Sequence, residues 1–113
     1  MSEEIKKPNK LSECFEHLDK ILSDSEDGEW FKTAEEEDAV VQSHHGLGGW
    51  IRNNWGLWSA DSKLYKHLNK LGLQHADDMS SLILTSYHRH LNKKELELDE
   101  QIKQYIEFWK NKK

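Results

Sequence analysis

Two groups of residues in this chain have types and spacing suited to chemistry. The first lies in the run His44-His45-Gly46-Leu47-Gly48-Gly49-Trp50-Ile51-Arg52. At helical spacing His45, Gly48, Gly49 and Arg52 share one stripe. A histidine stands at one end, a fixed positive charge at the other, and the middle has no side chains. Glycine weakens a helix by about 1 kcal/mol relative to alanine, so three in four residues need a compensating reason. A bare middle lets another backbone, an aromatic ring or a ligand approach closely. The second group is Asp77 or Asp78, Ser81, Thr85 and His88, again three or four apart. These are short-reach hydrogen-bonding groups, whereas exposed faces elsewhere in the chain use Lys and Glu. If the two helices pack together, Arg52 pairs with Asp77 or Asp78, and His45 meets Ser81, Thr85 or His88. Such a seam is either a buried network that orients the helices, which requires every member to be satisfied, or a pocket for a small polar or anionic ligand.

Other chemistries find less support in the sequence. His44 and His45 are adjacent and point about 100° apart on a helix, and His88 and His90 are two apart, so neither pair shares an ion easily. A composite metal site from His45, Asp77, Asp78 and His88 needs tertiary packing to gather it. Ser81 and His88 lie nearly two turns apart, and no G-x-S-x-G elbow is present. The glycines form neither a dinucleotide-binding nor a P-loop pattern. The sequence calls for no catalytic residue, no metal and no cofactor.

The elements that position these groups read as helical almost throughout, and an all-α single domain of five or six helices follows. Residues 1–10 are expected to be a flexible N-terminus, with one helical domain over 11–111. The first helix, 11–23, places Leu11, Cys14, Phe15, Leu18 and Leu22 on one face. Ser23 with Glu26, and Thr33 with Glu36, have capping-box spacing. They predict a short helix through Trp30 and Phe31, then a long one over 34–55 with Val40, His44, Leu47, Ile51 and Trp55 inward. On this reading His45 alone of the two histidines remains a site candidate. Ser59 or Asp61 caps a helix carrying Leu64, Leu68 and Leu71, which Gly72 stops. Two more helices, 77–91 and 99–111, bury Leu82, Ile83, Tyr87, Ile106 and Trp109. Trp55 and Trp58 are expected to close the end of the core, while Trp50, offset from the apolar stripe, is the exposed tryptophan suited to anchor a partner.

The chain has 113 residues, five Trp and one Cys, so it is the size of one domain and forms no internal disulfide. Cys14 sits in the apolar stripe and reads as a small buried hydrophobe. Charged residues make up 33% of the chain and no apolar run approaches membrane-spanning length. The expectation is a cytoplasmic protein without a membrane. Residues 1–43 carry 5 basic and 13 acidic side chains, and residues 44–113 carry 11 and 8. With the basic groups scattered rather than gathered on one face, nucleic acid is an unfavourable partner. The acidic run Glu35-Glu36-Glu37-Asp38 instead suits a basic partner, as an immunity protein or inhibitor would bind.

The motifs His-His-Gly-Leu-Gly, Trp-Ile-Arg-Asn-Asn-Trp-Gly-Leu-Trp, His75-Ala76-Asp77-Asp78-Met79-Ser80 and Ser86-Tyr87-His88-Arg89-His90-Leu91-Asn92 resemble a family of small bacterial and phage-associated proteins known as a domain of unknown function. The likeness spans roughly residues 11–110. Family members often have proline where Ala76 stands, which would fix the first turn of that helix. The resemblance implies a single helical domain and no activity.

Function therefore divides into classes. The first is a non-enzymatic binding or protein-interaction module that recognises a protein partner or a small polar ligand through His45, Trp50, Arg52, Asp77, Asp78, Ser81, Thr85 and His88. The alternative is a small hydrolase or metal-dependent enzyme using His45, Asp77, Asp78 and His88.

Overall fold

The structure, a computed structural model, describes residues 7–23 and 25–111. The first six residues of the expected flexible N-terminus lie outside them, and Pro8 is buried. Among the described residues seven helices, rather than five or six, follow one another: α1 (Leu11–Leu22), α2 (Glu26–Thr33), α3 (Glu36–Ser43), α4 (Leu47–Asn54), α5 (Lys63–Leu71), α6 (Ala76–Leu91) and α7 (Leu98–Lys110). The described residues include no strand. None of the described helices is long and apolar enough to cross a membrane.

α6 is the axis of the fold. Met79, Leu82, Ile83, Leu84, Tyr87 and also Ser80, Ser86 and His88 are buried on it, so it is enclosed on nearly every side. The other six helices all pack against it. α1 contributes Leu11, Cys14, Phe15 and Leu18 from one face, and burial pushes the Cys14 thiol well above its ordinary pKa. The core continues through Phe31, Ile51, Trp55, Leu57, Leu64, Leu68 and Leu73.

The extra helix comes from a break in the long one expected over 34–55. α3 stops at Ser43, and His44, His45 and Gly46 turn the chain before α4 starts. Gly46 adopts φ −76°, ψ −89°, outside the helical basin. Two turns of continuous helix would hold residues 44 and 52 about 12 Å apart along the axis. The break brings the Arg52 guanidinium to the His44 carbonyl instead, at 3.1 Å. Gly48 completes the packing. A Cβ there would stand 3.3 Å from the Ser43 carbonyl oxygen and 3.5 Å from Leu84 Cδ1, so the missing side chain lets α4 press on both neighbours.

Several caps shift for a common reason. Ser25, not Ser23, caps α2: its hydroxyl donates to the Leu22 carbonyl at 2.8 Å and accepts from the Gly28 N–H at 2.9 Å. One side chain thus serves two helix ends. Ser62 does the same before α5, donating to Gly56 O at 2.8 Å and accepting from the Tyr65 N–H at 3.1 Å. Ser59 is occupied by the Asp61 N–H. Thr33 turns back to the Glu29 carbonyl, so no Thr33–Glu36 box forms. Gly72 ends α5 at φ +123°, a conformation that favours glycine.

The core differs from expectation at four places. Val40 and Leu47 pack against it part-buried, but His44 remains on the rim. Trp58 is 65% exposed and its indole N–H donates to Asn53 Oδ1. On α7 the buried residues are Gln101 and Ile102, with Tyr105 packed beside them. The Gln101 amide donates to Ser86 Oγ and to the Leu96 carbonyl, while Ile106 and Trp109 are 46% and 41% exposed.

Candidate functional site

The α4–α6 seam forms, and Arg52 and Ser80 are buried in it. Arg52 is buried and gives each of its three nitrogens an acceptor. Nη1 donates to Ser80 Oγ at 2.8 Å, Nη2 to the His44 carbonyl, and Nε faces Asp77 Oδ1 at 3.4 Å. Ser80 in turn donates to the Asp77 carbonyl at 3.0 Å. Asp77 is largely solvated, with 64% of its side chain exposed, so its ion pair is screened. The carbonyl of His44 is one of those left without an intrahelical partner by the end of α3, and Arg52 supplies its donor.

Neither histidine takes the place expected of it. His44 lies beside the seam, its Nε2 4.0 Å from Asp77 Oδ1, while His45 is exposed and rests edge-on against the His44 ring at 5.1 Å. The break between α3 and α4 is the cause, because it removes His45 from the stripe it would share with Arg52 in a continuous helix.

The remaining candidates on α6 fan out around the helix. Asp78 accepts the Trp109 indole N–H at 2.7 Å, and Trp109 stacks on His75 at 4.0 Å. Ser81 bonds Tyr105, whose phenol is pushed up to about 12, chiefly by burial and then by the charge of Asp78. Thr85 lines a groove of about 330 Å³ with Glu36, Val40 and Arg89. His88 is buried with its Nε2 2.8 Å from the Ala34 carbonyl. A carbonyl only accepts, so Nε2 carries a hydrogen; Nδ1 is buried and unpartnered. The ring edge packs on Phe31. Next to it Arg89 clamps Glu36 through two bonds, 2.7 and 3.2 Å, and donates to the Leu96 carbonyl. The Arg89 hydrogen bonds hold the Glu36 carboxyl below its ordinary range.

Asp78 and His88 are ten residues apart on one helix, about 15 Å along its axis, and face different neighbours. The set His45, Asp77, Asp78 and His88 thus does not meet at one point. Among the described residues no three His, Cys, Asp or Glu side chains gather as a metal centre would.

Trp50 leads to a different place. It is 41% exposed, meets Trp55 edge-on at 5.8 Å, and borders a cleft of about 600 Å³. Ile21 and Leu22 come from the end of α1, Trp30 and Phe31 from α2, Gln42 and Ser43 from the end of α3, and Gly46 and Leu47 from the break and the start of α4. Trp30 is 42% and Ile21 44% exposed. The lining is mainly apolar, with Asp27 on its rim. Sequence reasoning identified Trp50 and missed Trp30 and Ile21. A signal was present: adjacent helix residues point about 100° apart, so burying Phe31 and Leu18–Leu22 pushes Trp30 and Ile21 outward.

Comparison of the sequence with family models places the chain in a family. No curated protein and no solved structure matches the chain. One family model does, a domain of unknown function, DUF6794, over residues 7–91. The matched stretch takes in α1 to α6 and leaves α7 outside it. On that match the chain belongs to the family of this domain of unknown function, DUF6794.

Proposed function

We propose that this domain is a non-enzymatic protein-interaction module of a small cytoplasmic bacterial or phage-associated protein, and that it recognises a protein partner through the cleft between Trp30 and Trp50. The observation that carries this reading is two half-exposed tryptophans from different helices flanking one apolar cleft. Tryptophan dominates interface energetics because it buries a large rigid surface at low entropic cost. The polar seam of Arg52, Ser80 and Asp77 supports the face from behind, by fixing the break that places Gly46, Leu47 and Trp50 at its edge.

Affinity capture from the native host with wild-type protein and with the Trp30→Ala/Trp50→Ala double variant tests this, followed by reconstitution with the purified partner. A partner lost by the double variant and recovered in reconstitution is the expected result. A partner held equally by both proteins overturns the assignment of the face.

A further inference from the structure

Resting on the cleft reading above, we infer that the occupant of the Trp30–Trp50 cleft is a basic amphipathic helix of a partner protein. The first argument is charge. Between Ser25 and Ser43 the chain carries seven acidic side chains, Glu26, Asp27, Glu29, Glu35, Glu36, Glu37 and Asp38, against Lys32 alone. Among the described residues only Glu36 of these is held in an ion pair. Asp27 lines the cleft, and Glu26 and Glu29 share the short helix α2 with Trp30. Glu35, Glu37 and Asp38 lie at the start of α3, whose far end forms another wall. Along the chain axis, at about 1.5 Å per residue, Glu35 lies roughly 10 Å and Asp38 roughly 6 Å from Gln42 at the cleft wall, about one Debye length or less, while Glu37 also lines the groove of Glu36 and Arg89. On α1 Lys20 beside Ile21 is offset by Asp19. The field over the apolar floor is therefore negative, and a cation-bearing partner is steered toward it.

The second argument is shape. The described residues offer no strand edge for an extended peptide to join. The aliphatic floor of Ile21, Leu22 and Leu47 is open to side chains spaced i, i+3, i+4 and i+7 from a single helix face. Gly46 stands at the edge, and a Cβ built there meets nothing within 4 Å, so a partner backbone can approach closely at this point.

Selection of a displayed library of short random peptides against the full chain, counter-selected on Trp30→Ala/Trp50→Ala, tests the proposal. Recovery of sequences with apolar residues at i, i+3 or i+4 and i+7, interleaved with Lys and Arg, is expected. Their synthetic forms should turn helical when bound, lose affinity about tenfold on Glu26→Gln/Asp27→Asn/Glu29→Gln, and weaken with salt. Gly46→Leu, placed where the cleft is open, should block them while the circular dichroism of the free domain stays unchanged. Recovery of acidic, uncharged or proline-rich peptides that still require Trp30 and Trp50 overturns the basic helix and leaves the interaction face intact. Peptides that bind the tryptophan variant equally well, or no enrichment at all, overturn both.

Discussion

The α4–α6 seam and the Trp30–Trp50 cleft lie on opposite sides of the same short helix, and they are built on opposite terms. In the seam each guanidinium nitrogen of Arg52 faces an acceptor, and Ser80 both gives and receives a hydrogen bond. Little is left over for a ligand. In the cleft two tryptophans are only half covered, and the lining is mainly apolar. A dense motif of histidine, glycine, arginine and aspartate thus marks the place where the chain is fixed. The neighbouring surface that looks ordinary in sequence is where apolar area is left unburied. A large exposed apolar patch is the more informative sign of recognition, whereas a satisfied polar network first explains itself as structure.

The sharpest way to break this contrast is Arg52→Ala. It leaves the His44 carbonyl and Ser80 without their donor in a closed environment, at about 1–3 kcal/mol for each unsatisfied group. We expect a loss of about 3 kcal/mol by urea denaturation and a fall in thermal midpoint on the order of 15 °C for a domain of this size. A change within about 0.5 kcal/mol, the range of an ordinary surface substitution, would show that the seam is not what holds the break in place.

The two glycines, Gly46 in the break and Gly48 just after it in α4, give the next largest contrast. Gly48→Val forces a branched side chain against the Ser43 carbonyl oxygen, the Arg52 guanidinium and Leu84, and overpacking of this kind costs about 2 kcal/mol. Gly46→Ala projects into open space and should leave stability unchanged within about 0.5 kcal/mol. Equal losses at both positions would mean that the helix break, not close packing, sets the need for glycine.

The cleft should respond the other way. Trp50→Ala removes an edge-on contact with Trp55 and costs about 1 kcal/mol; Trp30→Ala, with no ring partner among the described residues, should cost less. Partner binding should nevertheless fall far more than for any seam variant of equal stability. If the tryptophan variants unfold as readily as Arg52→Ala, the cleft is part of the core and the contrast fails.

How much of this was readable follows the same division. The stripes Leu11–Leu18 and Leu64–Leu68 and the all-α class come from apolar periodicity, which is a local property. The pairing of Arg52 with Asp77 was open to inference because both belong to polar stripes at helical spacing. The break at His44–Gly46 was not, since it depends on a guanidinium capturing a carbonyl eight residues earlier and on α6 supplying Ser80. That one tertiary event put His44, not His45, beside Asp77. On α7 periodicity did not single out Gln101, a polar residue that finds two partners inside, and Ile106 and Trp109 are only about half covered.

The smallest expected effect concerns the clamp at the far end of α6, where Arg89 holds Glu36. Glu36 is the one acidic residue of α3 withdrawn from the negative field proposed for the cleft, so it should behave unlike Glu35, Glu37 and Asp38. Its carboxyl titrates below the ordinary value of 4.5, first because of the Arg89 hydrogen bonds. A depressed folded-state value means that the unfolded chain takes up the proton first. The contribution is therefore complete above the unfolded pKa and disappears as pH falls through the lower folded one. Both side chains are partly solvated, so the stake is under about 1 kcal/mol. Urea midpoints measured between about pH 5 and about pH 3 should fall more steeply for wild type than for Glu36→Gln. Glu37→Gln should keep the wild-type slope. Should Glu36→Gln and Glu37→Gln follow one line, the clamp adds nothing to folding, and Glu36 belongs with the free carboxylates that face a partner.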